Sequence, residues 1–110
     1  MAGIEKNDLK INDKNCPVRK SLDILGGKWA LPIVYSLTGG TKRFKELERS
    51  IEGINTRMLV KELKLMESNQ IVKRVAYATI PPTVEYSLTA KGRKLNPILK
   101  ELYKWGKEYY

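Results

Sequence analysis

Four polar side chains cluster where a helix is predicted to begin, and their types suit recognition of a nucleic acid. Asn55 precedes an amphipathic segment, and Thr56, Arg57 and Lys61 follow it within two turns. An arginine can form two hydrogen bonds with guanine, an asparagine can form two with adenine, and a threonine methyl can contact thymine. The positive end of a helix dipole also attracts phosphates. We therefore expect these residues, with Lys64 further along the same face, to contact DNA.

Further cationic and polar residues lie on either side of this segment. Lys42 and Arg43 open a short predicted helix, where they are placed to clamp phosphates. Lys73, Arg74 and Thr79 lie in a predicted hairpin, and we expect them near its narrow tip, against an adjacent minor groove or backbone. The formal net charge is +9, from 21 basic and 12 acidic residues, which favours a polyanionic partner. For any single residue the alternative is a solvated basic face, but the whole set favours nucleic acid.

Enzymatic and metal chemistry has little support in the sequence. The chain contains no histidine, which excludes histidine-based triads, general bases and metal sites. The sequence also lacks a P-loop, an HEXXH motif and a dinucleotide-binding glycine motif. We therefore expect no catalytic residues, no metal and no cofactor.

The single cysteine, Cys16, immediately precedes Pro17. Proline is favoured at the first helical position, so Cys16 is expected to be the N-cap of the first helix. The helix N-terminus, together with Arg19 and Lys20, favours the thiolate that a sensor of oxidants or electrophiles requires. The alternative is a small packed residue that fixes this helix. A thiol peroxidase has less support, because the chain has no second cysteine to resolve a sulfenic acid. The sequence leaves open a disulfide between the Cys16 residues of two subunits.

Apolar periodicity predicts four helices, a hairpin and a final helix. Asn55 is a good N-cap for the fourth helix, and Ile54 and Leu59 occupy the hydrophobic-staple positions around it. Pro32 is tolerable only if it lies close to the start of the second helix, and Pro97 is expected to kink the last one. The predicted spans are 17–25, 28–38, 43–51 and 55–68 for the helices, 71–77 and 84–88 for the strands, and a long helix capped by Thr89.

Two short helices joined by a glycine-containing turn are typical of a helix-turn-helix, whose second helix enters the major groove. A hairpin directly after that second helix makes the motif a winged one. We therefore predict an α+β, mostly helical fold: a winged helix-turn-helix with a β-hairpin wing and a dimerisation helix at each end. Residues 1–15 are expected to form a mobile N-terminal arm, and residues 16–110 the DNA-binding domain.

The two terminal helices carry more apolar side chains than one small domain needs to bury. Exposure of Trp105 and Tyr109 to water would be unfavourable, so we expect them to be covered in a homodimer. The dimer would place two recognition helices roughly 34 Å apart, one DNA turn, and would bind a palindromic operator. The residues expected at the interface are Val18, Leu22, Leu99, Leu102, Trp105 and Tyr109.

Nothing in the sequence suggests export or membrane insertion. No apolar run approaches the length of a membrane span, and the N-terminus lacks the apolar region of a signal peptide. We therefore expect a cytoplasmic protein without a membrane partner.

From Cys16 to Trp105 the chain resembles the HxlR-type regulators, relatives of the MarR group. The segments that carry the resemblance include GGKW, RFKEL, VEYSLT and LYKWG, in family order. The resemblance implies a homodimeric winged-helix transcription factor that dimerises through its N- and C-terminal helices. It also implies that Cys16 matches a cysteine through which some members sense oxidants, quinones or aldehydes. Pro32 departs from the pattern, where leucine is commoner, and puts the regularity of the second helix in question.

Two other classes of function stay open. The chain could be a winged-helix module that binds protein or RNA without promoter specificity. A thiol enzyme is a third class, with the weakest support. A preference for one DNA site over random duplex at physiological salt distinguishes a specific regulator from the module.

Overall fold

The computed structural model describes residues 12–110, which form six helices and a three-stranded antiparallel sheet. This is the winged helix-turn-helix arrangement that the sequence predicts. In chain order the elements are α1 (Pro17–Leu25), α2 (Ala30–Leu37), β1 (Lys42–Arg43), α3 (Phe44–Ser50), α4 (Thr56–Ser68), β2 (Val72–Tyr77), β3 (Thr83–Leu88), α5 (Ala90–Arg93) and α6 (Asn96–Tyr109).

Helix α2 lies at the centre of the core. Four of its eight residues are buried, because the helix is apolar on most of its surface. Pro32 is its third residue, in the first turn, where the missing N–H removes no intrahelical hydrogen bond. The side chains that pack around α2 come from α3, α4 and the sheet: Leu47, Ile51, Leu59, Leu63, Met66, Ile71, Val72, Tyr86 and Leu88.

The hairpin of β2 and β3 forms the wing and is joined at its base by a third short strand. Val72 pairs with Leu88 at the base, and Tyr77 pairs with Thr83 near the tip. Strand β1 pairs with the other edge of β3, so the strand order is β1-β3-β2. The sequence did not predict β1, because a strand of two residues has no measurable hydrophobic period.

The C-terminal segment is two helices, so the prediction of one long helix kinked at Pro97 is wrong. Thr89 Oγ1 accepts a hydrogen bond from the backbone N–H of Gly92 at 3.0 Å and so caps the short helix α5. Helix α6 then begins at Asn96. Pro97 therefore lies in the first turn of a new helix, where a proline is tolerated.

Helix α5 fixes the base of the wing against the end of α4. Lys91 Nζ donates to the carbonyl oxygen of Asn69 at 2.8 Å. Arg93 Nη1 donates to the carbonyl oxygen of Leu88 at 2.9 Å. A methyl group at Gly92 would overlap the carbonyl oxygen of Ile71, so only glycine permits this close approach. The orientation of the wing relative to α4 is therefore set by direct contacts.

The predicted mobile arm, residues 1–15, falls mostly outside the described residues. Its last four residues form a turn, in which Asp13 Oδ1 accepts from the N–H of Asn15 at 2.9 Å. Arg19 Nη1 donates to the carbonyl oxygen of Asn12 at 3.1 Å, which joins this turn to α1. Over residues 12–110, no helix is both long and apolar enough to cross a membrane.

Candidate nucleic-acid interface

Helices α3 and α4 are joined by a tight turn built on Gly53. This glycine has a φ of 86°, in the left-handed region that residues with a side chain rarely adopt. A Cβ at this position would lie at an ordinary contact distance, 3.6 Å, from Cη2 of Trp29, so the backbone conformation and not space favours glycine here. The two helices and the turn form the helix-turn-helix unit, with α4 as its second helix.

The N-terminus of α4 is fixed by the cap and the staple residues that the sequence predicts. Asn55 Oδ1 accepts a hydrogen bond from the backbone N–H of Met58 at 2.8 Å. Leu59 is fully buried, and Ile54 packs against the same core. These contacts hold the first turn of α4 in place, so its exposed side chains project from a defined position.

Three basic side chains form one exposed face of α4. Arg57, Lys61 and Lys64 are exposed and recur at intervals of four and three residues, so they share one side of the helix. None of them forms an ion pair with an acidic side chain within residues 12–110. The basic face comprises these three residues and is the largest part of the predicted site that the structure brings together.

The other two predicted readers, Asn55 and Thr56, are also exposed at the start of α4, but their oxygens have partners in the chain. The side-chain amide oxygen of Asn55, Oδ1, caps the helix. The Thr56 hydroxyl donates to the carboxylate of Glu48 on α3, a contact that the sequence pattern did not reveal. Lys45 lies 3.8 Å from the same carboxylate. What these two residues present outward is therefore the Asn55 amide nitrogen and the Thr56 methyl.

Lys42 and Arg43 occupy β1 and differ in exposure. Lys42 is half-buried and lies opposite Tyr86 of β3, whereas Arg43 is exposed. The backbone N–H of Arg43 donates to Glu46 Oε1 at 2.9 Å, which fixes the entry into α3. Arg43 is therefore the better placed of the two for the predicted phosphate contact.

The structure separates the basic residues of the wing from its tip, so their predicted grouping near the tip is wrong. Lys73 and Arg74 lie at the base of the hairpin, opposite Ser87 and Tyr86. Arg74 lines a cleft with residues of α4, including Lys64 and Glu67, and so lies beside α4 rather than at the tip. Thr79 does lie at the tip, where its hydroxyl donates to the carbonyl oxygen of Pro81 at 2.7 Å.

An exchange at Asn55 should separate capping from base reading. Asn55→Ala should lower the free energy of unfolding by about 1 kcal/mol, whereas Asn55→Ser, which can still cap, should keep most of it. If the amide also contacts a base, both variants should lose DNA affinity to a similar extent. Chemical denaturation and DNA titration of the two variants measure the two roles. Equal stability of wild type and Asn55→Ala would contradict the capping role.

Cys16 is remote in sequence from the basic face of α4. It is buried and is the N-cap of α1, as predicted. Its backbone N–H donates to the carbonyl oxygen of Asp13 at 2.9 Å. The Arg19 guanidinium donates to Asn12, in the turn that precedes Cys16. Among residues 12–110 there is no group of three or more Cys, Asp or Glu side chains arranged to hold a metal ion.

The terminal helices expose the apolar residues that were expected at a dimer interface, with one exception. Over residues 17–25 and 96–109 no side chain is buried. Leu22, Leu102 and Trp105 are 58%, 51% and 54% exposed, and Val18 and Tyr109 are exposed as well. Leu99 differs, because it packs partly against the core of its own chain.

Comparison with known proteins identifies the family. Residues 24–110 match the family described as HxlR-like helix-turn-helix. The chain is 43% identical over 102 residues to the uncharacterised HTH-type transcriptional regulator YybR of Bacillus subtilis strain 168, an alignment that covers 93% of this chain and 82% of that protein.

Two solved structures extend the likeness to the fold. One is a protein from Porphyromonas gingivalis W83 described as a MarR-family transcriptional regulator; its TM-score is 0.87 and its identity 44%, over 92% of this chain and 99% of that one. The other is the redox regulator HypR in its oxidised form, with a TM-score of 0.80 and 43% identity over 86% of this chain and 98% of that one. The chain belongs to the HxlR-like helix-turn-helix family of transcriptional regulators.

Proposed function

We propose that the protein binds DNA as a homodimer and recognises a palindromic operator, with α4 of each subunit in the major groove. The observation that carries the proposal is the basic face of Arg57, Lys61 and Lys64 on a helix whose first turn is capped and anchored in the core. Arginine suits bidentate contact with guanine, and lysines suit phosphates. A helix presented in this way is the reading element of helix-turn-helix proteins.

Residues outside α4 support the same placement. Arg43 is exposed at the entry to α3, and Arg74 lies in a cleft beside Lys64 and Glu67 of α4. The wing extends from the end of α4 and is held there by the contacts of α5. We therefore place the wing on the minor groove or backbone next to the major groove that α4 occupies.

The second subunit covers the apolar face of the protein, defined here as the exposed side chains Val18 and Leu22 of α1 and Leu102, Trp105 and Tyr109 of α6. On α6, Leu102, Trp105 and Tyr109 recur at intervals of three and four residues and form one stripe. The Trp105 and Tyr109 rings also contact each other in a tilted arrangement, with ring centroids 5.5 Å apart and an angle of 48° between the ring planes. Apolar side chains of this size are seldom left in water as a group, and two copies of the face bury each other in a symmetric interface.

Competition between DNA fragments tests the proposal. Genomic fragments retained by the purified protein are sequenced, and the best one is titrated against random duplex over a range of salt concentrations. A specific regulator should prefer its site by roughly 10³-fold or more at physiological salt. A preference that disappears at that salt concentration would contradict the proposal and would favour the alternative, a winged-helix module that binds RNA or protein without promoter specificity.

We further propose that modification of the Cys16 thiol by an oxidant or electrophile alters operator binding. Cys16 begins α1, and Val18 and Leu22 of α1 belong to the apolar face assigned to the dimer. A bulkier or charged sulfur species at a buried N-cap would displace α1, and the displacement would be transmitted to the partner subunit. The likeness to the redox regulator HypR supports this reading.

If Cys16 is the sensor, the change in operator affinity after oxidation should depend on Cys16 alone. Diamide should change operator affinity of the wild-type protein by roughly 5- to 150-fold, the range of a typical allosteric coupling. Cys16→Ser, with the same backbone and a smaller polar side chain, should show no response. Because the chain has one cysteine, any disulfide formed must join two chains, and a non-reducing gel detects it. Identical diamide responses of the two proteins would remove the sensor role.

A further inference from the structure

The tip of the wing carries no charge, which is unexpected for a part of the protein assigned to DNA. Residues 76–84 contain no acidic or basic side chain, although 30% of the whole chain is charged. Ile80 at the tip is completely exposed, and Tyr77 below it is 44% exposed. A tip without cations cannot hold phosphates by ion pairing, so it must act on DNA in another way or not at all.

The tip is held in one shape by local contacts. Thr79 Oγ1 donates to the carbonyl oxygen of Pro81 at 2.7 Å, and it lies 3.1 Å from Thr83 Oγ1 across the loop. Pro81 and Pro82 each fix their own φ angle. Ile80 follows a hydrogen-bonded threonine and precedes two prolines, which lowers the conformational entropy that the loop would lose on binding.

The position of the tip relative to α4 suits a groove next to the one that α4 occupies. Arg74 lines a cleft with Lys64 of α4, so the base of β2 lies against the recognition helix. Ala78 lies four positions beyond Arg74, just after β2 ends at Tyr77, and four steps of extended chain place the tip roughly 13 Å beyond that contact. If α4 occupies the major groove, a reach of this length is comparable with the step across one phosphate backbone to the adjacent minor groove.

We propose that Ile80 acts as an apolar wedge that enters the minor groove beside the operator half-site and partly unstacks one base step. The proposal rests on the DNA-binding function proposed above and deepens it. Isoleucine and proline are among the side chains that minor-groove proteins insert between base pairs, which bends the duplex toward the major groove. The wedge selects flexible pyrimidine–purine steps, such as TA or CA, because these cost least to unstack. It therefore adds sequence preference at a position where no hydrogen bond reads a base.

Fluorescence of a base analogue tests the wedge directly. The DNA is the fragment selected by the wild-type protein, with 2-aminopurine placed in turn at each step flanking the half-site, and with a fluorophore pair at its ends to report bending. Wild-type protein should raise 2-aminopurine fluorescence at one step per half-site and bring the ends closer. Ile80→Ala should abolish both signals and weaken binding roughly tenfold, because burial of an isoleucine side chain is lost. Ile80→Leu, which keeps the apolar bulk, should retain both.

The possible outcomes separate this inference from the proposed function. A wild-type protein that selects no DNA sequence contradicts the proposed function, and the wedge with it. A protein that selects a site but raises no 2-aminopurine signal overturns the wedge alone, as does an Ile80→Ala variant that bends DNA like wild type. If Ile80→Ala binds and bends DNA normally yet fails to regulate a reporter in cells, the tip contacts a protein partner instead of DNA.

Discussion

Leu102→Asp is expected to abolish the proposed dimer and to weaken operator binding about 100-fold or more. The aspartate would place an unpaired charge within the apolar face assigned to the partner subunit, and burying such a charge costs several kcal/mol. A monomer then contacts one half-site and loses the contribution of the second recognition helix. Sedimentation velocity measures the oligomeric state, and fluorescence anisotropy with the selected DNA measures the affinity.

Lys100→Asp provides the matched control, because it introduces the same residue on the same helix. Lys100 is exposed and lies about 200° around α6 from Leu102, on a different face. This variant should stay dimeric. If Leu102→Asp also stays dimeric at micromolar concentration, the subunits associate through another surface, and the assignment of the terminal helices is wrong.

Arg57→Ala is expected to have the next largest effect, a loss of about 1–3 kcal/mol in specific binding with relaxed preference at one base position. The loss follows from removing two hydrogen bonds to one guanine. Arg57→Lys should not restore the preference, because an ammonium group cannot form the same planar pair. Titration of a set of operators, each with one base pair changed, measures both affinity and preference.

The comparison variant for Arg57 is Lys64→Ala, on the same exposed face of α4. If Lys64 contacts a phosphate, its removal should weaken binding to all DNA sequences alike and should reduce the salt dependence. A uniform loss for Arg57→Ala as well would make Arg57 a phosphate contact and would transfer base reading to other residues of α4.

The features that local sequence determines were predictable, and α4 shows why. Asn55 caps it, Ile54 and Leu59 occupy the staple positions, and Arg57 and Lys61 are left exposed. Each of these features depends on residues within a few positions of one another, so helical spacing alone reveals them. The same holds for α1, which begins at Pro17 as the proline predicts.

Features that depend on distant contacts were missed or misplaced. Strand β1 exists because Lys42 and Arg43 pair with the edge of β3, some forty residues away. Arg74 lies beside α4 instead of at the wing tip, because strand register decides where it lies. The Thr56–Glu48 contact likewise requires the relative placement of α3 and α4. Hydrophobic period and capping signals carry no information about such pairings.

The position of Cys16 links the two proposals about assembly and control. Its helix, α1, has no buried residue over 17–25, and Val18 and Leu22 are exposed. Helix α1 is therefore held by fewer buried apolar side chains than α2 or α4, so we expect a bulkier group at its buried N-cap to displace α1 more easily than it would displace those helices. If the dimer interface includes α1, control at Cys16 acts on the spacing of the two recognition helices rather than on the base contacts themselves.

The central claim is that two copies of α4 read one palindromic site, and methylation interference tests it most directly. Guanine N7 is methylated sparsely in the selected DNA, and bound and free fragments are separated and compared. We predict interference at two symmetric guanine positions whose centres lie about one helical turn, roughly 10 base pairs, apart. Both signals should be lost in Arg57→Ala when its concentration is raised until it binds as much DNA as the wild type. Interference at one unsymmetric position, or a pattern that Arg57→Ala leaves unchanged, would contradict the account.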